Sequence, residues 1–137
     1  MKMKILVSSA LLLSLSACQL ISPLVIDYNG VRRDVATYIN NSLFFSIADR
    51  KILVEYAKEQ QKVLNFDQLN RDQQKQLAHD RAIGRYCAAQ QISMKKLNLV
   101  DSHIFSLAEH QKNLNDLYAV QSQMNFNMQQ ENCQGKF

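Results

Sequence analysis

Proline and glycine, the residues that most often interrupt helices, are nearly absent from this chain of 137 residues, which has 1 Pro and 3 Gly. That scarcity argues against turn-rich β folds and against flexible linkers. Apolar residues make up 47% of the chain and recur three and four positions apart along most of it, as on one face of a helix. No stretch alternates apolar and polar residues for long enough to predict a sheet. A chain of this length has room for one domain, so the sequence predicts an all-α fold, a small bundle of four to five helices.

The helical spacing also predicts where the helices lie. The predicted segments are 31–40, 46–64 with a start as early as 43, 67–91, 92–100 and 101–128. Ser46 and Asp49 have the spacing of a capping box, with Asp in the position that usually holds Glu or Gln. Asp101 or Ser102 is expected to cap the last helix.

A separate signal lies at the start of the chain. Lys2 and Lys4 precede an apolar run that begins at Ile5, and small residues follow up to Cys18. The 13 residues from Ile5 to Ala17 are too few for a helix to cross a hydrocarbon core of roughly 30 Å. A basic start, a short apolar run and small residues before a cleavage point are typical of a secretory signal peptide.

The residues Leu15-Ser16-Ala17-Cys18 resemble the lipobox of bacterial lipoproteins. In that family a diacylglycerol is joined to the cysteine thiol, the signal is cut before this residue, and the new amino group is usually acylated. The resemblance implies that Cys18 is the lipidation site and carries S-diacylglycerol and N-acyl chains of the palmitate kind, with no further cofactor. Two or three acyl chains anchor a protein far more firmly than one. An ordinary cleaved signal with a chance cysteine is the alternative.

The lipobox also implies a domain organisation and a location. The signal peptide is 1–17, the lipidated N-terminus and tether are 18–29, and the helical domain is 30–137. Gln19 stands where enterobacterial lipoproteins of the inner membrane carry Asp, so the expected location is the outer membrane, facing the periplasm. The 11 residues from 19 to 29 extend over at most about 39 Å. Their apolar side chains are expected to pack on the domain itself, with the bilayer surface or a partner as alternatives.

Charge bears on the expected partners. Loss of Lys2 and Lys4 with the signal peptide leaves 14 basic and 12 acidic residues, so the formal net charge falls from +4 to +2. No basic stripe with interleaved aromatic residues remains, and binding of nucleic acid is therefore not predicted. The expected partners are the membrane, through the lipid, and a protein of the cell envelope.

Apart from Cys18, the chain has two cysteines, Cys87 and Cys133. In an oxidising periplasm an even pair predicts one disulfide, with two unpaired thiols as the alternative. The chain-entropy model gives this bridge a stabilisation of about 4 kcal/mol. The two cysteines lack the spacing and the histidine neighbours of a metal site, so no metal is expected. Gly84, one turn before Cys87, could permit close approach of the segment that carries Cys133.

Titratable residues give no recognisable catalytic motif. His103 and His110 share a face of the last predicted helix about 10.5 Å apart, too far to bind one metal ion, and both are expected to be exposed. Asp80 falls within the apolar arc of the third predicted helix, where a buried carboxylate needs a partner. Arg81 and Arg85 are the expected partners, and a structural ion pair is favoured over a catalytic acid. The chain is therefore not expected to be an enzyme.

A lipid-anchored helical bundle without a catalytic motif predicts a non-enzymatic interaction or assembly module of the bacterial envelope. Secretion pilotins are similar in size and architecture, although no pilotin residues map onto this chain. A groove between helices would accept a partner helix. Its candidate lining residues, each of which could equally belong to the core, are Phe44, Phe45, Phe105, Tyr118, Met124 and Phe126. The alternative function is an inhibitor, immunity or exclusion lipoprotein that blocks an incoming protein or element.

Overall fold

The computed structural model describes the backbone of residues 27 and 28 and, in full, residues 30–137. The predicted signal peptide, the lipidation site Cys18 and most of the predicted tether lie outside this part of the chain. The described part is a bundle of five α-helices after a very short hairpin, so the all-α prediction is confirmed. The elements are β1 (Asp27–Tyr28), β2 (Val31–Arg32), α1 (Arg33–Asn41), α2 (Ile47–Gln60), α3 (Arg71–Ala89), α4 (Met94–Ile104) and α5 (Ala108–Gln121), with 3-10 segments at Gln61–Gln68 and Met128–Gln130.

The hairpin was not expected from the sequence, because two-residue strands are too short to show an alternating pattern. Strands β1 and β2 pair antiparallel, with Tyr28 opposite Val31. Gly30 makes the turn with φ of +82°, a conformation that favours glycine. The side chain of Gln61 holds the hairpin against the end of α2: it donates to the Gly30 carbonyl and accepts from the Arg32 backbone N–H at 3.0 Å.

Helix α2 begins where the sequence predicts. The Ser46 hydroxyl accepts from the Asp49 backbone N–H at 3.1 Å, and the Asp49 carboxylate accepts from the Ser46 backbone N–H at 2.8 Å. This reciprocal capping box satisfies two N–H groups that an isolated helix end would leave unpaired. Asp thus takes the role that Glu or Gln usually has.

The prediction of a single last helix over 101–128 is wrong, because the backbone leaves helical geometry within that range. Helix α4 continues through Asp101 to Ile104, so neither Asp101 nor Ser102 is a cap, and α5 begins only at Ala108. The break follows Phe105, which leaves helical geometry and is 1% exposed. A straight helix would not have allowed both α4 and α5 to contact the rest of the bundle. Helix α5 also ends at Gln121, before both Met124 and Met128.

All five helices contribute to one apolar core. Its largest fully buried members are Tyr56, Phe66, Phe105, Ile39, Leu53, Leu97, Ile104 and Leu117. Among the described residues, no helix is both long enough and apolar enough to cross a bilayer.

Two contacts define the ends of the bundle. Lys96, near the start of α4, lies 2.5 Å from the Asp49 carboxylate at the start of α2. At the other end Arg32 donates to the carbonyl of Ile104, which places the end of α4 beside the hairpin. The turn between α1 and α2 is therefore at one end, and the hairpin and the α4–α5 turn are at the other.

The predicted disulfide is confirmed. Cys87 of α3 is bonded to Cys133 of the C-terminal tail, with their Cα atoms 5.2 Å apart. The tail continues to Phe137, whose ring packs against the core. Close approach at Gly84 is not required for this bridge, because a Cβ added there would meet one side-chain atom, in the Phe137 ring at 4.0 Å.

Candidate functional site

The turn between α1 and α2 exposes a cluster of large apolar side chains. Leu43 is 98% exposed, Ile47 85% and Phe44 69%. Single apolar residues on a surface are ordinary, but three within five positions form a patch of the kind that marks interaction sites. We call Leu43, Phe44 and Ile47 the apolar tip.

The turn that carries the apolar tip is held in place on both sides. Ser42 closes α1 through a hydrogen bond from its backbone N–H to the Tyr38 carbonyl at 3.0 Å. The Ser42 hydroxyl accepts from the Phe44 backbone N–H at 3.2 Å, and the Ser42 carbonyl accepts from Arg50 at 3.4 Å. Phe45 points inward, is 3% exposed, and packs edge-on against Tyr38. Burial of Phe45 therefore fixes a turn whose other apolar side chains face outward.

Basic residues lie at the same end of the bundle as the apolar tip. Arg50 and Lys51 follow it on α2, and Lys95 and Lys96 begin α4 at the same end of the bundle. The acidic residue among them, Asp49, is already engaged by Lys96 and by the capping box. The hydrogen bond from Lys96 is the largest influence on Asp49 and lowers the pKa of its carboxyl. Four basic residues against one acidic residue give this end of the bundle a positive character.

A buried charge cluster lies on the other side of the core and ties three helices together. Tyr56 of α2 donates to Asp101 of α4 at 2.9 Å, and Arg85 of α3 donates to both Asp101 and the Tyr56 oxygen. Arg81 of α3 lies 3.4 Å from the same carboxylate. The side chains of Arg81, Asp101 and Arg85 are 1%, 13% and 21% exposed. We call Tyr56, Arg81, Arg85 and Asp101 the charge cluster.

The charge cluster corrects the expectation for Asp80. Asp80 is exposed and accepts from Gln76 at 2.8 Å, so it pairs with neither Arg81 nor Arg85. The buried face of α3 passes through Arg81 instead, one position further along the helix. The carboxylate that neutralises it, Asp101, comes from α4, and no spacing within the third predicted helix could have indicated it.

Burial governs the titration of the charge cluster. Loss of solvent raises the pKa of the Asp101 carboxyl, although the guanidinium groups of Arg81 and Arg85 act in the opposite direction. Burial also raises the pKa of the Tyr56 hydroxyl. The Asp101 carboxylate accepts from Tyr56 and from both arginines. The arrangement is therefore more typical of a structural ion-pair network than of a site with a free acid or base.

A small cavity of about 200 Å³ opens beside the charge cluster. Arg85 and Asp101 line it from one side, and Phe105 and Tyr118 line it from the other. Tyr118 is 43% exposed, and the Arg81 guanidinium lies 5.1 Å from the centre of its ring. A second cavity of about 290 Å³ lies on the outer face of α1.

The six residues expected to line one groove are not brought together as a set. Phe105 and Tyr118 line the same cavity beside the charge cluster, whereas Phe45 belongs to the core and Phe44 lies in the apolar tip. The other two are in the tail after α5. Met124 packs partly buried against the core, and Phe126 stacks on His79 with the ring centres 5.8 Å apart.

The histidine expectation holds for neither residue as stated. His110 is 3% exposed, because the break in the last predicted helix turns the start of α5 toward the core. Burial is the largest influence there and lowers the pKa of its imidazole. His103 is on α4, half-buried, and stacks on Tyr38 at 4.5 Å. The described residues contain no group of three or more His, Cys, Asp or Glu placed to hold a metal ion.

The sequence does not indicate that the apolar tip is exposed. The run Leu43-Phe44-Phe45-Ser46-Ile47 is apolar at four of its five positions, which predicts burial and not exposure. The capping box starts α2 only after this run, and so leaves most of it in a turn. Comparison of the chain with protein-family models, with curated proteins and with solved structures gives no match.

Proposed function

We propose that this chain is a lipoprotein of the bacterial cell envelope, anchored through Cys18, that acts as a non-enzymatic interaction or assembly module. The observation that carries the proposal is the motif Leu15-Ser16-Ala17-Cys18 after a basic and then apolar start. The disulfide between Cys87 and Cys133 supports it, since such bonds persist in oxidising compartments such as the periplasm.

The distribution of polar groups supports a binding role over a catalytic one. The carboxylate of Asp101 is held by two arginines and a tyrosine, and these contacts join α2, α3 and α4. General acid–base catalysis needs a group that is free to exchange a proton with a substrate. A carboxylate held from three helices in this way instead contributes to a rigid scaffold on which a partner can bind.

The exposed part of α5 is the surface proposed for a protein partner. Leu107 and Tyr118 are 48% and 43% exposed, and Tyr118 borders the cavity beside the charge cluster. Tyrosine is enriched at protein interfaces, because its ring is apolar and its hydroxyl can form a hydrogen bond. Leu107, beside the α4–α5 turn, is at the opposite end of the bundle from the apolar tip.

The anchor is tested by growing cells with a labelled fatty acid and isolating the protein. The native chain is expected to carry the label, and Cys18→Ser is expected to lose it completely. Ser16→Ala keeps a small residue in the motif and serves as the matched control, with labelling retained. Label that persists in Cys18→Ser would show that the anchor is not on this cysteine.

The partner surface is tested by crosslinking in intact cells, with a photoreactive phenylalanine analogue in place of Tyr118. We expect a reproducible crosslink to an envelope protein, lost when Cys18→Ser releases the chain from the membrane. The same analogue at Glu55, an exposed position on α2 and not on α5, measures background capture. Equal capture from both positions, or no reproducible partner, would contradict the proposed role of this surface.

A further inference from the structure

We propose that the apolar tip inserts into the surface of the lipid bilayer, so that the domain stands on the membrane with the α1–α2 turn downward. The inference rests on the proposed function, because the bilayer is the one in which the lipid on Cys18 is embedded. The tip is Leu43, Phe44 and Ile47, as defined above. Insertion of the tip would attach the domain to the bilayer at two points, through the lipid and through its own side chains.

The shape of the tip fits a lipid surface better than a protein groove. Leu43 is 98% exposed and Ile47 85%, so these side chains protrude from the described part of the chain and contact little of it. Residues that line a groove for a partner helix are recessed and therefore partly covered by their neighbours. Protruding apolar side chains on a fixed turn can enter the boundary between headgroups and acyl chains without any matching surface.

The charge around the tip complements anionic headgroups. Lys51 and Lys95 are exposed at this end of the bundle. Arg50 and Lys96 lie there too, but Arg50 is half-buried and donates to the Ser42 carbonyl, and Lys96 is paired with Asp49. Basic residues beside apolar anchors are typical of proteins that lie on anionic membranes, where each cation gains from the negative surface potential. The apolar side chain of Met94, 46% exposed at the start of α4, is at the same end.

The length of chain before the described residues permits both attachments at once. Asp27 pairs with Arg32, so the chain enters the bundle at the hairpin end of α1. The 9 residues of α1 place the tip about 14 Å further along the helix axis. Eight residues lie between Cys18 and Asp27, and the nine steps from one to the other can extend over about 30 Å. The lipid on Cys18 can therefore reach the plane of the tip with length to spare.

The test uses a tryptophan reporter, because the chain contains no Trp of its own. The full lipidated chain with Phe44→Trp is reconstituted into vesicles of phosphatidylethanolamine and phosphatidylglycerol that contain acyl-brominated lipid. Leu107→Trp is the matched control: it is 48% exposed and lies next to the α4–α5 turn, at the hairpin end. We expect emission from position 44 to shift to the blue and to be quenched several-fold more strongly than emission from position 107.

Two further arms sharpen the test. Adding Leu43→Glu and Ile47→Glu to the Phe44→Trp chain is expected to abolish the quenching, and far-UV circular dichroism checks that the bundle is intact. Replacing phosphatidylglycerol by phosphatidylcholine is expected to weaken the quenching without abolishing it, since the apolar contribution remains. Each result supports insertion of the tip.

Equal quenching at positions 44 and 107, or none at position 44, overturns the proposal even if mass measurement finds the lipid on Cys18. A blue shift at position 44 without quenching also overturns it, and places the tip against a second copy if the shift depends on concentration, or against the chain's own N-terminal segment if it does not. If Cys18 carries no lipid, the proposed anchor fails separately. The unanchored chain then decides the inference, since quenching at position 44 on added vesicles supports insertion and its absence overturns it.

Discussion

The apolar tip and the charge cluster reverse the usual distribution of residues between the surface and the interior of a protein. At the tip, Leu43 and Ile47 are almost fully exposed, whereas Arg81 and Asp101 are almost fully buried. Buried charges are costly unless they are paired, and Asp101 is paired with both Arg81 and Arg85. Exposed apolar residues add nothing to folding. The comparison indicates that the cluster maintains the fold, and that the tip is available for binding.

The largest effect is expected from breaking the charge cluster. Asp101→Ala leaves Arg81 buried without its carboxylate, and the loss of one partner of a buried pair costs about 3–5 kcal/mol in unfolding free energy. Urea denaturation followed by circular dichroism measures the change. Asp80→Ala is the matched control, an exposed carboxylate on α3, and should change stability by no more than about 0.5 kcal/mol. Similar losses in both variants would mean that Asp101 is not held as described.

Phe44 and Phe45 are neighbouring residues of the same type, and the next largest effect is expected from truncating the buried one. Phe45 is 3% exposed and Phe44 69%, although both belong to one apolar run. Phe45→Ala leaves a cavity beneath Tyr38 and should cost about 3 kcal/mol, whereas Phe44→Ala should stay within about 0.5 kcal/mol. Thermal and chemical denaturation of the two variants give the comparison directly. A large loss in Phe44→Ala would show that the tip takes part in folding, and would end its role as a free surface.

These two pairs also show what the sequence could and could not predict. The capping box of Ser46 and Asp49 is local, so three-residue spacing was enough to find it. The disulfide followed from cysteine parity and from the compartment implied by the lipobox. Asp101 was missed because its burial depends on how α4 packs against α2 and α3, which no local pattern encodes. An apolar run likewise does not say which of Phe44 and Phe45 faces inward.

Helix boundaries were predictable only where a side chain marks them. The predicted last helix runs through the break after Phe105, because no Gly or Pro stands there and the apolar spacing continues across it. The break arises from the tertiary gain of burying Phe105, and it carries His110 into the interior as well. The fold class and the disulfide were therefore predictable from the sequence, but the exposed apolar residues and the buried charges were not.

A smaller effect is expected at Asp49, which holds the start of α2 beneath the apolar tip but is not part of the tip. Asp49→Asn keeps the shape of the cap but removes the charge that pairs with Lys96, and should cost about 1 kcal/mol at neutral pH. The lowered pKa of Asp49 means that the folded state favours the ionised carboxyl, so its contribution is fully present above the ordinary value of 3.8 and is lost as the pH falls through the lower folded value.

The direction of this pH dependence is checked by denaturing Asp49→Asn and the native chain between neutral and acid pH. The difference in unfolding free energy between the two proteins should narrow as the solution becomes acidic. Lys96→Met is the companion variant, and combining it with Asp49→Asn should cost less than the sum of the separate changes, because the two side chains form one contact. A difference that widens in acid, or losses that add fully, would contradict the pairing beneath the tip.

The smallest effects are expected from two glycine substitutions. They test whether the tail packs against α3 more loosely than Lys58 packs against the hairpin. Gly84→Ala should stabilise the protein by up to about 1 kcal/mol, since glycine is a poor helix former and the added methyl meets only the Phe137 ring at 4.0 Å. Gly30→Ala should destabilise it, because φ is +82° there and the new Cβ would lie 2.9 Å from Lys58. Melting temperatures of the two variants should therefore move in opposite directions. A fall for Gly84→Ala would show that the disulfide-bonded tail packs on α3 more closely than the distance to Phe137 indicates.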